Sequence, residues 1–244
     1  VITVIVDGFF GDTGKGKITA YLALRDSPKL CVRTGAPNAG HTVVHNGVQH
    51  VLRSLPSCFV DPSAVLAVAP GALIRLDVFA AEAERYGRGR TKVDYNTGVI
   101  EDRHVEAERR DEHLMKTVGS TGQGVGAAMV DRVLRRLRLA RDFEELKPYL
   151  ADVPAMIRGL ADGGVIVEGT QGTFLSLTTG PIPTSPAGTR RRPAWPARRA
   201  SGLRTWTRWC SSSSPSSPGS ATALCRASCR PRRPRGGAGS REAL

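Results

Sequence analysis

The chain opens on six β-branched positions, Val1-Ile2-Thr3-Val4-Ile5-Val6, which read as a buried strand. Apolar spacing then predicts a helix from 17 to 25, a strand over 29–33 and a hairpin over 43–55 that turns at Asn46-Gly47. A short strand follows at 65–68, helical spacing at 76–86, an extended stretch at 91–95, and helices at 142–151 and 154–161. Val165-Ile166-Val167 is again a buried strand and runs into the glycines of 169–172. Strands that feed Gly-rich loops at their carboxyl ends predict an α/β fold with an open, largely parallel sheet. From about Thr178 no periodicity that could bury a face is visible. The chain therefore divides into an α/β body, 1–177, and an Arg/Ser/Pro-rich tail, 178–244, expected to lack native order.

Chemistry enters at the end of the first strand. Asp7-Gly8-Phe9-Phe10-Gly11-Asp12-Thr13-Gly14-Lys15-Gly16-Lys17 places glycines at 8, 11, 14 and 16 and lysines at 15 and 17. Bare backbone N–H groups and positive charge are what a phosphate needs. A tight turn with solvated lysines would use the same residue types, but the strand, four glycines and two lysines together point to a P-loop-like phosphate loop. Gly11 to Lys17 fits G-x-x-x-x-G-K, yet Ile18 follows where an ordinary P-loop carries a Ser or Thr for Mg²⁺. Asp12 is the oxygen donor at hand. A second cluster, Gly35-Ala36-Pro37-Asn38-Ala39-Gly40-His41-Thr42, adds an amide, a close-approach glycine and an imidazole able to titrate near neutrality.

Together, Gly-Asp-x-Gly-Lys-Gly-Lys and Asn-Ala-Gly-His-Thr resemble the adenylosuccinate synthetases, and most closely their shorter, archaeal-type members. Leu52-Arg53-Ser54-Leu55-Pro56-Ser57, Gly119-Ser120-Thr121-Gly122-Gln123-Gly124-Val125-Gly126, Asp131-Arg132-Val133-Leu134-Arg135-Arg136 and Glu168-Gly169-Thr170-Gln171-Gly172-Thr173 follow in the family's order. Thr13, Cys58, Gln123 and Ala127 depart from it, standing where Glu, Gly, Arg and Pro are usual.

The resemblance implies GTP-dependent joining of IMP and L-aspartate, with Asp12 as general base and His41 as acid. It implies a GTP site of Gly11, Asp12, Thr13, Gly14, Lys15, Gly16, Lys17, Gly40, His41 and Thr42. IMP falls to Asn38, Ala39, Thr121, Gln171 and, across a homodimer interface, Arg135; Mg²⁺ falls to Asp12 and the Gly40 carbonyl. A cytoplasmic location is expected. Without the resemblance, Arg132, Arg135, Arg136 and Arg138 would read as an exposed basic helix face.

Composition narrows the alternatives. The net charge of +13 suggests nucleic acid, but the tail holds thirteen of the 35 basic residues and one of the 22 acidic ones, leaving the body near neutral. A nucleic-acid-binding protein built on the tail, or a different P-loop kinase or GTPase, are the other readings. Neither accounts for the 38–41 cluster. No apolar run reaches membrane-span length. Cys31 and Cys58 read as unpaired cytosolic thiols, while Cys225 and Cys229 have zinc-compatible spacing without partners.

The tail contains no Val, Phe, Tyr, Lys, Asp, Asn, Gln, His or Met, yet all three Trp. It reads as text translated out of frame. Shifted by one base, residues 179–185 become compatible with Tyr-Gly-Thr-Tyr-Pro-Tyr-Val and 219–224 with Arg-Val-Gly-Asp-Gly-Pro. These resemble segments the family carries after its Gln-Gly loop and at its aspartate loop.

Overall fold

In a computed structural model, residues 1–175 and the backbone of 222–227 are described. The expected lack of order over 178–244 lies outside the described residues, save for one short strand.

Along the chain the elements are β1 (Ile2–Asp7), α1 (Lys15–Asp26), β2 (Leu30–Arg33), β3 (His41–His45), β4 (Val48–Leu52), β5 (Val65–Val68), β6 (Leu73–Ile74) and α2 (Leu76–Glu82). There follow β7 (Thr91–Asp94), β8 (Gly98–Val99), α3 (Asp102–Arg110), α4 (Val125–Val133), β9 (Leu150–Ala151), α5 (Val153–Gly159), β10 (Val165–Gly172) and β11 (Thr222–Ala227). The main sheet has the order β11-β1-β10-β2-β5-β7-β9 and is parallel except for β11. β11 runs antiparallel along the edge that β1 would otherwise expose, where unpaired backbone groups invite another strand. Two smaller pairings, β3–β4 and β6–β8, stand apart from the main sheet.

β2 is buried along its whole length and β5 nearly so, as expected of central parallel strands. Ile5, Leu22, Cys31, Leu55, Cys58, Leu66, Ile74, Phe79 and Val93 pack into one core that binds α1 and the 57–60 turn to the sheet. The insertion of β10 between β1 and β2 is what makes the site. It brings the loops after β1, β2 and β10 to the same carboxyl edge, where open α/β sheets bind ligands. Among the described residues no helix is long and apolar enough to cross a membrane.

The hairpin turns where expected, with Asn46 at φ 51° and Gly47 at φ 75°, the paired positive φ of a tight two-residue turn. Elsewhere the structure differs from the sequence reading. The helix expected over 142–151 is two 3₁₀ segments, Ala140–Asp142 and Glu144–Tyr149, followed by β9. Pro148 sits inside the second and has no N–H to extend an α-helix. The helix over 76–86 ends as a π turn from Ala83 to Gly87. β10 continues through its glycines to Gly172, its register against β1 shifting between Ile5 and Asp7.

The two unpaired thiols are corrected as well. Cys31 and Cys58 form a disulfide joining β2 to the 3₁₀ turn Ser57–Val60. Their 27-residue separation gave no hint of pairing, because topology rather than spacing brings the 57–60 turn over β2.

Gly35 shows how closely the loops pack. It lies at φ +89°, and a Cβ there would meet the Thr170 hydroxyl oxygen at 1.6 Å. Gly35→Ala combines left-handed strain with overpacking and is expected to destabilise the fold by about 3 kcal/mol, read as a lower denaturant midpoint at unchanged slope.

Candidate functional site

β1 delivers Asp7, fully buried, to the floor of the loop that follows. Its carboxylate accepts the Phe9 N–H at 2.7 Å, the Thr13 hydroxyl and the Lys15 ammonium, the last at 3.2 Å. Burial pushes Asp7 upward, but these donors outweigh it and hold the carboxyl below its ordinary value. Lys15, 2% exposed, also donates to the Gly11 carbonyl at 2.6 Å. Its charge therefore ties the loop down from beneath, while Lys17 remains exposed. Gly11 and Gly14 take positive φ, and Gly14 caps α1 without a side chain, leaving the first amides of a twelve-residue helix available to an anion.

β10 supports this loop from the other side. A Cβ on Gly172 would fall 2.3 Å from both the Gly11 nitrogen and the Phe9 carbonyl, so only glycine admits the loop at that height. The Thr173 hydroxyl donates to the Asp7 carbonyl at 2.7 Å.

His41, the first residue of β3, is fixed by Glu168 of β10. The imidazole Nδ1 lies 2.6 Å from Glu168 Oε1, and the Ser57 hydroxyl donates to the same oxygen at 2.7 Å. The Ser57 N–H donates to Oε2 at 2.7 Å. Burial alone would raise the Glu168 carboxyl, but His41, the buried Arg33 guanidinium and the Ser57 amide reverse this and hold it below the ordinary range. With Glu168 ionised, Nδ1 carries the shared proton, and Nε2 is left buried without a partner among the described residues. Gly16 permits the arrangement: a Cβ there would stand 2.9 Å from His41 Cβ and 3.0 Å from Ser57 Oγ.

Two cavities result. One, of about 650 Å³, is lined by Gly11, Asp12, Thr13, Gly14, Lys15, Gly16, Lys17 and Ile18 from the first loop and by Gly40, His41 and Thr42 from the second. Every residue expected at the triphosphate lies on it, and Asp12 is the exposed carboxylate there. The other, of about 880 Å³, is lined by Asn38, Thr121 and Gln171 together with an apolar wall that includes Met129, Val130 and Val133. Gln171 Nε2 donates to Asn38 Oδ1 at 3.4 Å, bridging the two loops at its edge.

Ala39 does not line this second cavity; its carbonyl instead accepts from Arg33 at 2.7 Å. Arg135 is exposed just past α4, at φ 59°, and lines neither cavity, although its neighbour Leu134 lines the second. The supposed basic face is not uniform. Arg132 is partly buried and donates to the carbonyls of Ala72 and Asn96, while Arg138 stacks 4.0 Å over the Phe143 ring and pairs with Glu101.

The sequence reading assigned no role to Asp7, Ser57, Glu168 or Glu108. Glu108, 2% exposed, accepts the Ser120 hydroxyl and the Gly126 N–H, the latter at 2.9 Å, and so pins both ends of the glycine loop 119–126. A carboxylate inside a strand, as Glu168 is, could have been singled out, since an apolar core tolerates one only when paired.

Comparison with known proteins follows the same outline. The model of the adenylosuccinate synthetase family matches residues 4–143. The adenylosuccinate synthetase of Methanococcus aeolicus is 44% identical over 188 residues, covering 74% of this chain and 56% of that protein. That of Archaeoglobus fulgidus is 46% identical over 185 residues, covering 74% and 55%. The chain thus spans about half the length of these relatives.

Among solved structures, the succinoaminodeoxyadenylate synthetase of cyanophage S-2L, bound to dGMP and to dATP as an energy donor, superposes with a TM-score of 0.64 at 30% identity. That match covers 75% of this chain and 55% of that one. The fully ligated adenylosuccinate synthetase of Plasmodium falciparum shares the fold, with a TM-score of 0.67 at 20% identity over 76% of this chain and 55% of that one.

Proposed function

The chain belongs to the adenylosuccinate synthetase family, and on that premise we propose that it carries the catalytic nucleotide half of an enzyme that joins IMP to L-aspartate at the expense of GTP. The observation that carries this reading is the convergence of two separate loops, 11–17 and 40–42, on one cleft, with a buried Glu168–His41 pair at its wall.

O6 of a purine lactam is a poor nucleophile until N1 loses its proton, so a carboxylate is needed beside N1. Asp12 is the exposed carboxylate on the cleft and takes that role. The resulting oxyanion attacks the γ-phosphorus of GTP. Charge growing on the transferred and leaving oxygens is met by Lys17, the amides at the start of α1 and the His41 Nε2–H, presented when the imidazole is protonated. Glu168 holds the ring in place through Nδ1. The amino group of aspartate then attacks C6, the C6–O6 bond breaks, O6 leaves as part of inorganic phosphate, and the amine gives up a proton. IMP is held by Asn38, Thr121 and Gln171, with Arg135 reaching the partner's site in a homodimer.

Among the described residues no group of three His, Cys, Asp or Glu side chains could hold a metal alone. One exposed carboxylate beside the Gly40 backbone fits a hard cation bound chiefly through nucleotide phosphates, as Mg²⁺ is. Asp12 and the Gly40 carbonyl would hold Mg²⁺, which would supply positive charge against the nucleotide phosphates. Ile18, partly buried, supplies no hydroxyl after Lys17, so the site of an ordinary P-loop kinase or GTPase does not form. We place the protein in the cytoplasm.

The tail is proposed to be out-of-frame text; sequencing the underlying DNA tests this, since a one-base correction near codon 177 should open the family's missing loops. In that frame-corrected enzyme, Asp12→Asn should lower kcat at least about a hundredfold by removing a base. Turnover near that of the parent would assign the base elsewhere.

A further inference from the structure

The Cys31–Cys58 disulfide lies one residue from the support of His41. Cys58 follows Ser57, whose N–H and hydroxyl both bind Glu168. Cys31 lies in β2 two residues before Arg33, and Arg33 pairs in register with Glu168 on β10. Arg33 also donates to the carbonyls of Leu55 and Ala39, at 3.4 and 2.7 Å, the two chain segments that flank the His41 hairpin. The 57–60 turn packs on the start of α1 through Gly16. We propose that the Cys31–Cys58 bond is a redox-sensitive clamp that holds Ser57 against Glu168 and so couples the thiol state of the chain to the orientation of His41.

The reasoning is steric. Both sulfurs are fully buried in the core that joins α1, β2 and the turn. Two unbonded thiols cannot remain at bonding distance and must separate to van der Waals contact. β2 is hydrogen-bonded on both edges, to β10 and β5, whereas the turn is four residues held by few backbone bonds. The turn is the side that yields. Ser57 moves with Cys58, its two hydrogen bonds to Glu168 lengthen, and the carboxylate loses part of what fixes it under His41.

Chemically, a dithiol reductant attacks one sulfur as its thiolate. The S–S bond breaks, both cysteine sulfurs take up protons, and the reductant closes to its own disulfide with transfer of two electrons. Because neither sulfur is exposed, exchange requires the turn to open first, so reduction is gated by that local opening. The proposal rests on the nucleotide reading only for its consequence at His41.

Hydrogen exchange on the 244-residue chain tests it. Peptide mapping without reductant should recover Cys31 and Cys58 as a linked pair. After dithiothreitol, the Ser57 amide should exchange at least roughly tenfold faster while the β5 amides at 66–68 keep their rates, and the His41 ring ¹⁵N shifts should move. Reoxidation with oxidised glutathione should restore both. In the Cys31→Ala/Cys58→Ala variant, reductant should change nothing.

Free thiols at 31 and 58 in the unreduced protein, or Ser57 exchange indifferent to reductant, would overturn the proposal. So would a uniform loss of protection, which would make the bond a global staple. GTP binding is read separately: its absence in both redox states counts against the nucleotide reading, while Ser57 decides the clamp.

Discussion

Glu168→Gln is expected to cost about 3–5 kcal/mol of folding free energy, the range for removing one partner of a buried, hydrogen-bonded ion pair. The carboxylate is fully buried and serves three residues at once: the His41 imidazole, the Ser57 amide and hydroxyl, and the charge of Arg33. Gln keeps the shape and one acceptor but leaves Arg33, 2% exposed, facing no anion from that strand.

The same residue sets an acid limit. Its folded-state pKa lies below the ordinary 4.5, so its contribution is present above that value and is lost as pH falls through the lower folded one. Asp7, also held below its ordinary value, contributes in the same direction in both proteins. The difference between parent and variant in urea unfolding should therefore be largest near neutrality and shrink below about pH 4.5. A pH-independent difference, or one below 1 kcal/mol, would show that Glu168 is not ionised in the fold.

Why some of this was legible and some not follows from the kind of signal each residue gives. The loops 11–17 and 40–42 were readable because phosphate chemistry demands glycine, lysine and a carboxylate within a few positions, and sequence order preserves that spacing. The strands were readable for two different reasons: β1 shows as an unbroken β-branched run although only one of its faces is fully buried, and β2, buried on both faces, as the apolar run Leu30-Cys31-Val32. Glu168, Ser57 and His41 were not legible as a unit, since they are 111 and 127 residues apart from Glu168 and meet only because β10 inserts between β1 and β2. Cys31 and Cys58 are joined by the same topology. The 3₁₀ segments around Pro148 were misread because apolar spacing over ten residues does not separate an α-helix from two tighter turns.

The 244 residues by themselves are expected to give no measurable adenylosuccinate. The body holds the proposed base, the positioned histidine, the phosphate loop and the cavity lined by Asn38, Thr121 and Gln171, so binding of GTP and IMP is the expected residue of function. Synthesis also needs aspartate held against C6 and a pocket for guanine. The family resemblance puts the first in the segment that reads out of frame and the second in the length of the relatives that this chain does not match.

Holding reactants in register supplies about 7 to 11 kcal/mol of barrier reduction, a factor of 10⁵ or more, and the roles proposed for Asp12 and His41 lie in phosphoryl transfer and would not replace it for an unheld amine. Purified protein supplied with IMP, GTP, Mg²⁺ and aspartate should show no product absorbance, and the frame-corrected enzyme should restore it. Steady turnover by the 244-residue chain would place aspartate binding within the body and refute the out-of-frame reading of 178–244.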